Sequence, residues 1–260
     1  MSVGTRIAVA SVLGLTVSVA HADHHHGMEM DGEPHESFGA GVQLVAASYS
    51  TVAYVGDYEG VTPSVSWGSS LFTVGAAIGV YRLEENGLER FGPGDFAVHG
   101  QATAIDHGPV RAGVAVMLTA PTGEAVAGLG MGHPMAMTAL WGNYRVDRVT
   151  FAASGGFNRA LVFGDMSSHH DHGMWPIVEP MNMSELTWSA GGDVAIGSGV
   201  HGGASINGGV PVGAPGHDRI AAGGRVAWGS SRVETAVELQ VGLVGDPFVL
   251  RGVVETALHF

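Results

Sequence analysis

From Phe38 onward, apolar and polar residues alternate in short runs, with Gly, Ser, Pro, Asp or Asn between them. A period of two marks a strand that turns one face to an apolar medium. The runs fall at 39–50, 61–68, 71–82, 96–106, 110–119, 134–146, 149–159, 185–196, 200–211, 219–228, 232–243 and 248–260. They predict an all-β chain of about twelve strands. Most runs approach the roughly 9–11 residues with which a tilted strand crosses a bilayer.

The connections alternate in length. Ser69-Ser70, His107-Gly108-Pro109, Asp147-Arg148, Gly197-Ser198-Gly199 and Gly229-Ser230-Ser231 are short and, except for Asp147-Arg148, built from residues that make tight turns. Those at 51–60, 83–95, 120–133, 160–184, 212–218 and 244–247 are mostly longer. Short turns on one side and long loops on the other are the asymmetry of a transmembrane antiparallel up-and-down β-barrel, here expected over 38–260. An even strand number places both ends of the barrel in the periplasm and the long loops outside.

The faces of the strands say which medium each meets. In FVLRGVVETALHF, Phe248, Leu250, Val254, Leu258 and Phe260 share one face, and Arg251, Glu255 and His259 share the other. A midplane Arg turned to lipid costs roughly 2–4 kcal/mol, so the charged face belongs to the lumen. The same parity sets Leu186, Trp188, Val194 and Ile196 against Glu185, Thr187, Ser189 and Asp193. It also sets Val237, Leu239 and Val241 against Glu234, Glu238 and Gln240. A polar interior with both signs of charge leaves two alternatives, a plugged barrel or a narrow channel. A chain that ends in such a strand with a terminal Phe resembles bacterial outer-membrane β-barrel proteins of the porin-like kind. The resemblance covers the architecture of 38–260 and implies insertion among outer-membrane lipids.

Composition agrees. Charged residues are 13 % of 260, aromatics 7 %, and Gly accounts for 42. A water-soluble domain is usually about 25 % charged. No apolar run of roughly 20 residues follows the N-terminus, so no mature transmembrane helix is predicted. Residues 1–22 read as a secretory signal peptide: Arg6, an apolar stretch, then Ala20-His21-Ala22 as a small-x-small cleavage site. Residues 23–37 then form a His/Met-rich periplasmic tail. The absence of Cys excludes disulfides and thiolate chemistry. A net charge of −13, with every basic residue an Arg, excludes a nucleic-acid partner, which needs basic clusters to neutralise phosphate.

Histidine and methionine gather in three patches. The tail DHHHGMEMDGEPHE holds His24, His25, His26, Met28, Met30 and His35. The third long loop leads into its strand as GMGHPMAM, with Met131, His133, Met135 and Met137. The fourth loop, MSSHHDHGMWPIVEPMNM, holds Met166, His169, His170, His172, Met174, Met181 and Met183. Of the 11 methionines, Met1 apart, only Met117 lies elsewhere. Core methionines are usually scattered as gap-fillers. Thioether sulfur suits Cu(I) and imidazole suits Cu(II), so the mixture points to copper or a similar soft metal ion. Met135 and Met137 are expected to face the lumen as a ligand ladder at the pore mouth, with Met117 and His99 as candidate extensions. The alternative is an ordered plug in which loop Met and His pack on Trp175 and Pro176.

These segments resemble copper-resistance outer-membrane proteins, which join a Met/His-rich N-terminal segment to a β-barrel. That resemblance implies copper transport or tolerance. A passive porin-like channel for small solutes is the alternative reading. No enzyme is expected: outer-membrane phospholipase A, also a twelve-strand barrel, sets its His two residues before its Ser, whereas HGGAS separates His201 from Ser205 by four.

Overall fold

The structure, a computed structural model, describes residues 37–50, 55–161, 178, 181–197, 199–213, 216–230, 232–245 and 248–260. The signal-peptide and tail expectations, and with them His24, His25, His26, Met28, Met30 and His35, lie outside the described residues.

Twelve antiparallel strands close into a barrel in sequence order, the last pairing with the first. The first half comprises β1 (Ser37–Ser50), β2 (Val55–Gly68), β3 (Phe72–Glu85), β4 (Leu88–His107), β5 (Val110–Ala120) and β6 (Met135–Val146). The second comprises β7 (Val149–Ala160), β8 (Ser184–Gly197), β9 (Val200–Pro211), β10 (Arg219–Gly229), β11 (Val233–Val244) and β12 (Phe248–His259). Each expected run lies on one of these strands to within one residue at its ends. The polarity alternation holds around the wall: Leu186, Leu239 and Val254 are exposed on the outer face, while Glu185, Glu238 and Arg251 are buried on the inner. Aromatic side chains gather outside near the short turns, among them Phe38, Tyr144, Phe151 and Trp228, with Trp67 set edge-on against Phe72 at 5.3 Å. Such a girdle marks a bilayer interface. An arginine at Val254, midway along the outer face of β12, is therefore expected to cost about 2–4 kcal/mol. Urea unfolding of the lipid-inserted barrel would measure it; a loss below about 1 kcal/mol would place this position outside the hydrocarbon band.

Two expected loops are strand. Instead of long connections at 51–60 and 83–95, β2 begins at Val55, and β3 and β4 continue to a tight turn at Asn86-Gly87. Both turn residues have positive φ (50° and 83°), the geometry in which Asn-Gly joins twisted strands. The extension escapes an apolar-alternation reading because its outer face is charged. Arg82 there pairs with Asp57 at 3.1 Å, Glu59 at 2.8 Å and Glu89 at 2.6 Å. The sheet thus rises beyond the apolar band as a ribbon whose outside is made for water.

Phe248 is a second correction. Expected on the lipid face with Leu250, it is buried inside. The register with β1 shifts between Ser48 and Tyr49, so that Leu250 faces Ser48 while Phe248 faces Tyr49. One extra residue reverses the parity of everything beyond it.

Candidate functional site: the lumen and its outer mouth

The loop-side half of the lumen is narrowed by inward-turned side chains and loops. Loop L3 (121–134), between β5 and β6, bends inward through a short 3-10 turn at Ala125–Ala127, and its residues 127–130 are buried. Leu129 enters a cluster with Tyr49, Tyr58, Tyr81, Leu83, Val178 and Phe248. The Tyr81 ring lies flat on the wall because Gly60 and Gly79 leave it room; a Cβ at either would stand 2.2–2.3 Å from ring or hydroxyl atoms. L3 is held down by Asp95, whose carboxylate accepts the backbone N–H groups of Gly123 at 3.0 Å and Met131 at 2.8 Å. Thr122 adds a hydroxyl bond to the Gly94 carbonyl at 2.8 Å.

A second clamp holds the end of loop L4 (161–183) and loop L5 (212–218). Glu185 on β8 is completely buried and sits at its centre. Its carboxylate accepts hydrogen bonds from Arg219 on β10 at 2.7 Å, Asn158 on β7 at 3.1 Å and Asn182 of L4 at 2.6 Å. The Asn182 amide in turn donates to the His217 carbonyl at 3.0 Å and accepts from its N–H at 3.1 Å, tying L5 to L4.

Between the two clamps lies a methionine cluster: Met117, Met135, Met137, Met181 and Met183, with Ala97 and Ala160 and with Met131 packed against it. Met135 and Met137 face the lumen as the strand parity predicts, both fully buried. Met117, outside every sequence patch, stands beside Met137 in register. His133, half-buried, is not among these cluster members. Met166, His169, His170, His172 and Met174, together with the Trp175 and Pro176 of the plug alternative, lie outside the described residues. Among the described residues, no group of three or more His, Cys, Asp or Glu side chains could hold a metal ion.

The turn-side half of the lumen is different. The inner faces of β7, β8 and β9 carry small residues, and a narrow cleft of about 30 Å³ opens against them toward solvent. Ser154, Ser189, Ser205, Asn143, Asp193 and Arg225 line it, with the Trp141 ring as one wall. The Ser154 and Ser189 hydroxyls bond each other at 2.7 Å, and Arg225 reaches Glu234 at 3.4 Å. Sequence periodicity places these side chains inside but cannot say that the cleft forms here; it forms where Ser154, Ser189, Gly191, Gly203 and Ser205 leave the wall thin. His201 and Ser205 both face the lumen, on the turn-side part of β9, rather than an outward strand end.

What the lumen could bind chemically is thus divided. The mouth offers thioethers and aromatic rings, while the cleft offers hydroxyls, amides and ions of both signs. The residues that close the mouth, Asp95, Leu129, Tyr81 and Asn182, have no motif in the sequence. The nearest signal is Gly60, Gly79 and Gly94 at inward positions near a Tyr.

No family model and no curated protein sequence matches the chain. Solved structures do. The COG4313 outer membrane channel from Pseudomonas putida F1 superposes with a TM-score of 0.65 at 10 % identity, over 89 % of this chain and 100 % of that one. The KdgM porin gives 0.52 at 9 % identity, covering 85 % and 99 %. The NanC porin gives 0.51 at 7 %, covering 84 % and 98 %. The chain therefore has the fold of bacterial outer-membrane channels.

Proposed function

We propose that this chain is an outer-membrane channel that passes small solutes passively, with an outer mouth narrowed by its own inward-folded loops. One observation carries the reading: a closed barrel, apolar outside, encloses a polar cleft that communicates with solvent. The fold it shares with outer-membrane channels supports the same membrane and the same class of work. Copper transport or tolerance draws on His/Met segments that largely lie outside the described residues; the channel reading draws on the barrel wall itself and is preferred.

The luminal charges make a specific expectation. Among the described residues, Arg90, Arg111, Arg145, Arg219, Arg225 and Arg251 stand against Glu85, Asp106, Glu185, Asp193, Glu234, Glu238 and Glu255 on inward positions, a near balance of signs. Charges so balanced give no single-sign field to select ions. Planar-bilayer recordings of the refolded barrel are expected to show a small conductance and a reversal potential near zero in a KCl gradient. Silence in the bilayer, or strong selectivity for one ion sign, would overturn the reading. Closure on adding copper would favour the metal-transport alternative.

A further inference from the structure

The two halves of the lumen use their polar groups differently. At the mouth, Asp95 and Glu185 are bonded to loops and to neighbouring strands. In the cleft, Asn143, Asp193 and Ser205 are half-buried, and among the described residues their side chains make no hydrogen bond. Polar side chains inside a protein are normally bonded within it, so open donors and acceptors gathered on one wall call for a reason. The wall itself does not need them. At Ala152, Gly191 and Gly203 the same strands present almost no side chain.

The strand registers order these groups into three rows. One runs Trp141, Ser154, Ser189 across β6, β7 and β8. The next runs Asn143, Ala152, Gly191, Ser205. The last runs Asp193, Gly203, Arg225 across β8, β9 and β10. No Cβ fits at Gly203, because the Asp193 carboxylate lies over it. A carboxylate and a guanidinium thus border one bare position. The cleft has an edge of both charges, a floor of small residues with one amide and one hydroxyl, and an aromatic corner.

We propose that this cleft is a docking site for the hydroxyl-bearing edge of a neutral polyhydroxylated solute, a sugar or sugar alcohol. A hydroxyl both donates and accepts. It therefore suits Asp193, which only accepts, Arg225, which only donates, and Asn143 and Ser205, which do both. An anionic solute would meet Asp193 and a cationic one Arg225, and like charges brought together select against both. The Trp141 ring supplies apolar surface for the C–H bonds of the same solute. Size sets how much enters. The cleft measures about 30 Å³, against roughly 10–15 Å³ for one water. It takes about two hydroxyls and leaves the rest of the solute in the lumen. Such a hold is weak, as conduction requires. The proposal rests on the channel reading for the route by which the solute arrives, but binding can be measured without transport.

The test uses the refolded full chain in a sugar-free detergent, with tryptophan labelled with nitrogen-15. Five indole N–H signals are available, and Trp141→Phe assigns the one that matters. Glucose is expected to move the Trp141 signal saturably in the millimolar range and to leave the other four in place. Glucuronate and glucosamine carry a negative and a positive charge on the same ring, and each is expected to bind about tenfold more weakly or worse. Asn143→Ala with Ser205→Ala is expected to weaken glucose by about tenfold, the loss of two hydrogen bonds. Asp193→Asn is expected to bring glucuronate toward the affinity of glucose, a change that a merely structural role would not produce. Heat-modifiable migration on gels confirms that each variant has folded; should the double variant fail, Asp193→Asn carries the test. A Trp141 signal that ignores glucose, equal binding of the three sugars, or unchanged affinities in the folded variants would overturn the proposal. Conductance without glucose binding sinks this site and spares the channel, whereas glucose binding in a silent barrel does the reverse.

Discussion

Glu185→Ala is expected to destabilise the barrel by about 3–5 kcal/mol, the cost of breaking a buried ion pair from one side. The carboxylate is wholly buried and accepts from Arg219, Asn158 and Asn182. Removing it takes a carboxylate acceptor from a mostly buried guanidinium and from two buried amides. The surprise lies in the double variant. Glu185→Leu with Arg219→Met removes both charges and keeps most of the volume, so the buried-charge penalty disappears with them. The pair together should cost less than Glu185→Ala alone, because an apolar replacement of a buried ion pair is often neutral or stabilising. Urea unfolding in lipid, followed by tryptophan fluorescence, reads both. A double variant worse than the single would mean that the net ion-pair attraction outweighs its desolvation. A single variant within about 1 kcal/mol of the native barrel would mean that water reaches Glu185.

Excision of residues 122–131 from L3 is expected to raise single-channel conductance severalfold while the barrel still folds. What remains between β5 and β6 is Pro121 followed by Gly132, His133 and Pro134, within the usual 2–5 residues of a hairpin loop. The wall keeps its register, since Met117↔Met137 and Thr119↔Met135 lie below the cut. The mouth loses Ala127 and Leu129, the part of L3 that enters the aromatic cluster. A smaller version of the same change is Asp95→Ala, which keeps the loop but removes the acceptor for Gly123 and Met131. Its expected signature is flicker between two conductance levels rather than a steady increase. If excision leaves the conductance unchanged, the narrowest point lies lower in the lumen.

Much of the wall was legible in the sequence, and the reason is chemical. Lipid on one side and polar lumen on the other enforce a period of two, so Leu239 and Glu238 reveal their faces without any structure. The reading stopped where that contrast stops. Past the apolar band, Asp57, Glu59 and Arg82 face water on a ribbon that is still sheet, and polarity no longer separates strand from loop. Phe248 failed for the opposite reason: its chemistry fits either face, and a one-residue register shift decided. The candidate site was legible as composition but not as geometry. Met135 and Met137 pointed inward as their parity requires; Met117 was a candidate extension by composition, and the cross-strand register that sets it beside Met137 is encoded by no local pattern. Nothing local in GPGD announces that Asp95 will hold a loop thirty residues away; that contact exists only once L3 has folded over the rim.

The hydrogen bonds between Phe38 and Phe260, 3.4 Å in one direction and 2.9 Å in the other, carry a consequence for how the molecule can come apart. In an open sheet the first and last strands are edges, and unravelling begins there. Here the first and last strands are neighbours in one continuous ring, and each zips the other shut. No strand is peripheral, so loss of any one exposes two unpaired flanks at once, in lipid that can satisfy neither. Peeling from an end is therefore as costly as breaking the middle, and the ring must open as a whole or not at all.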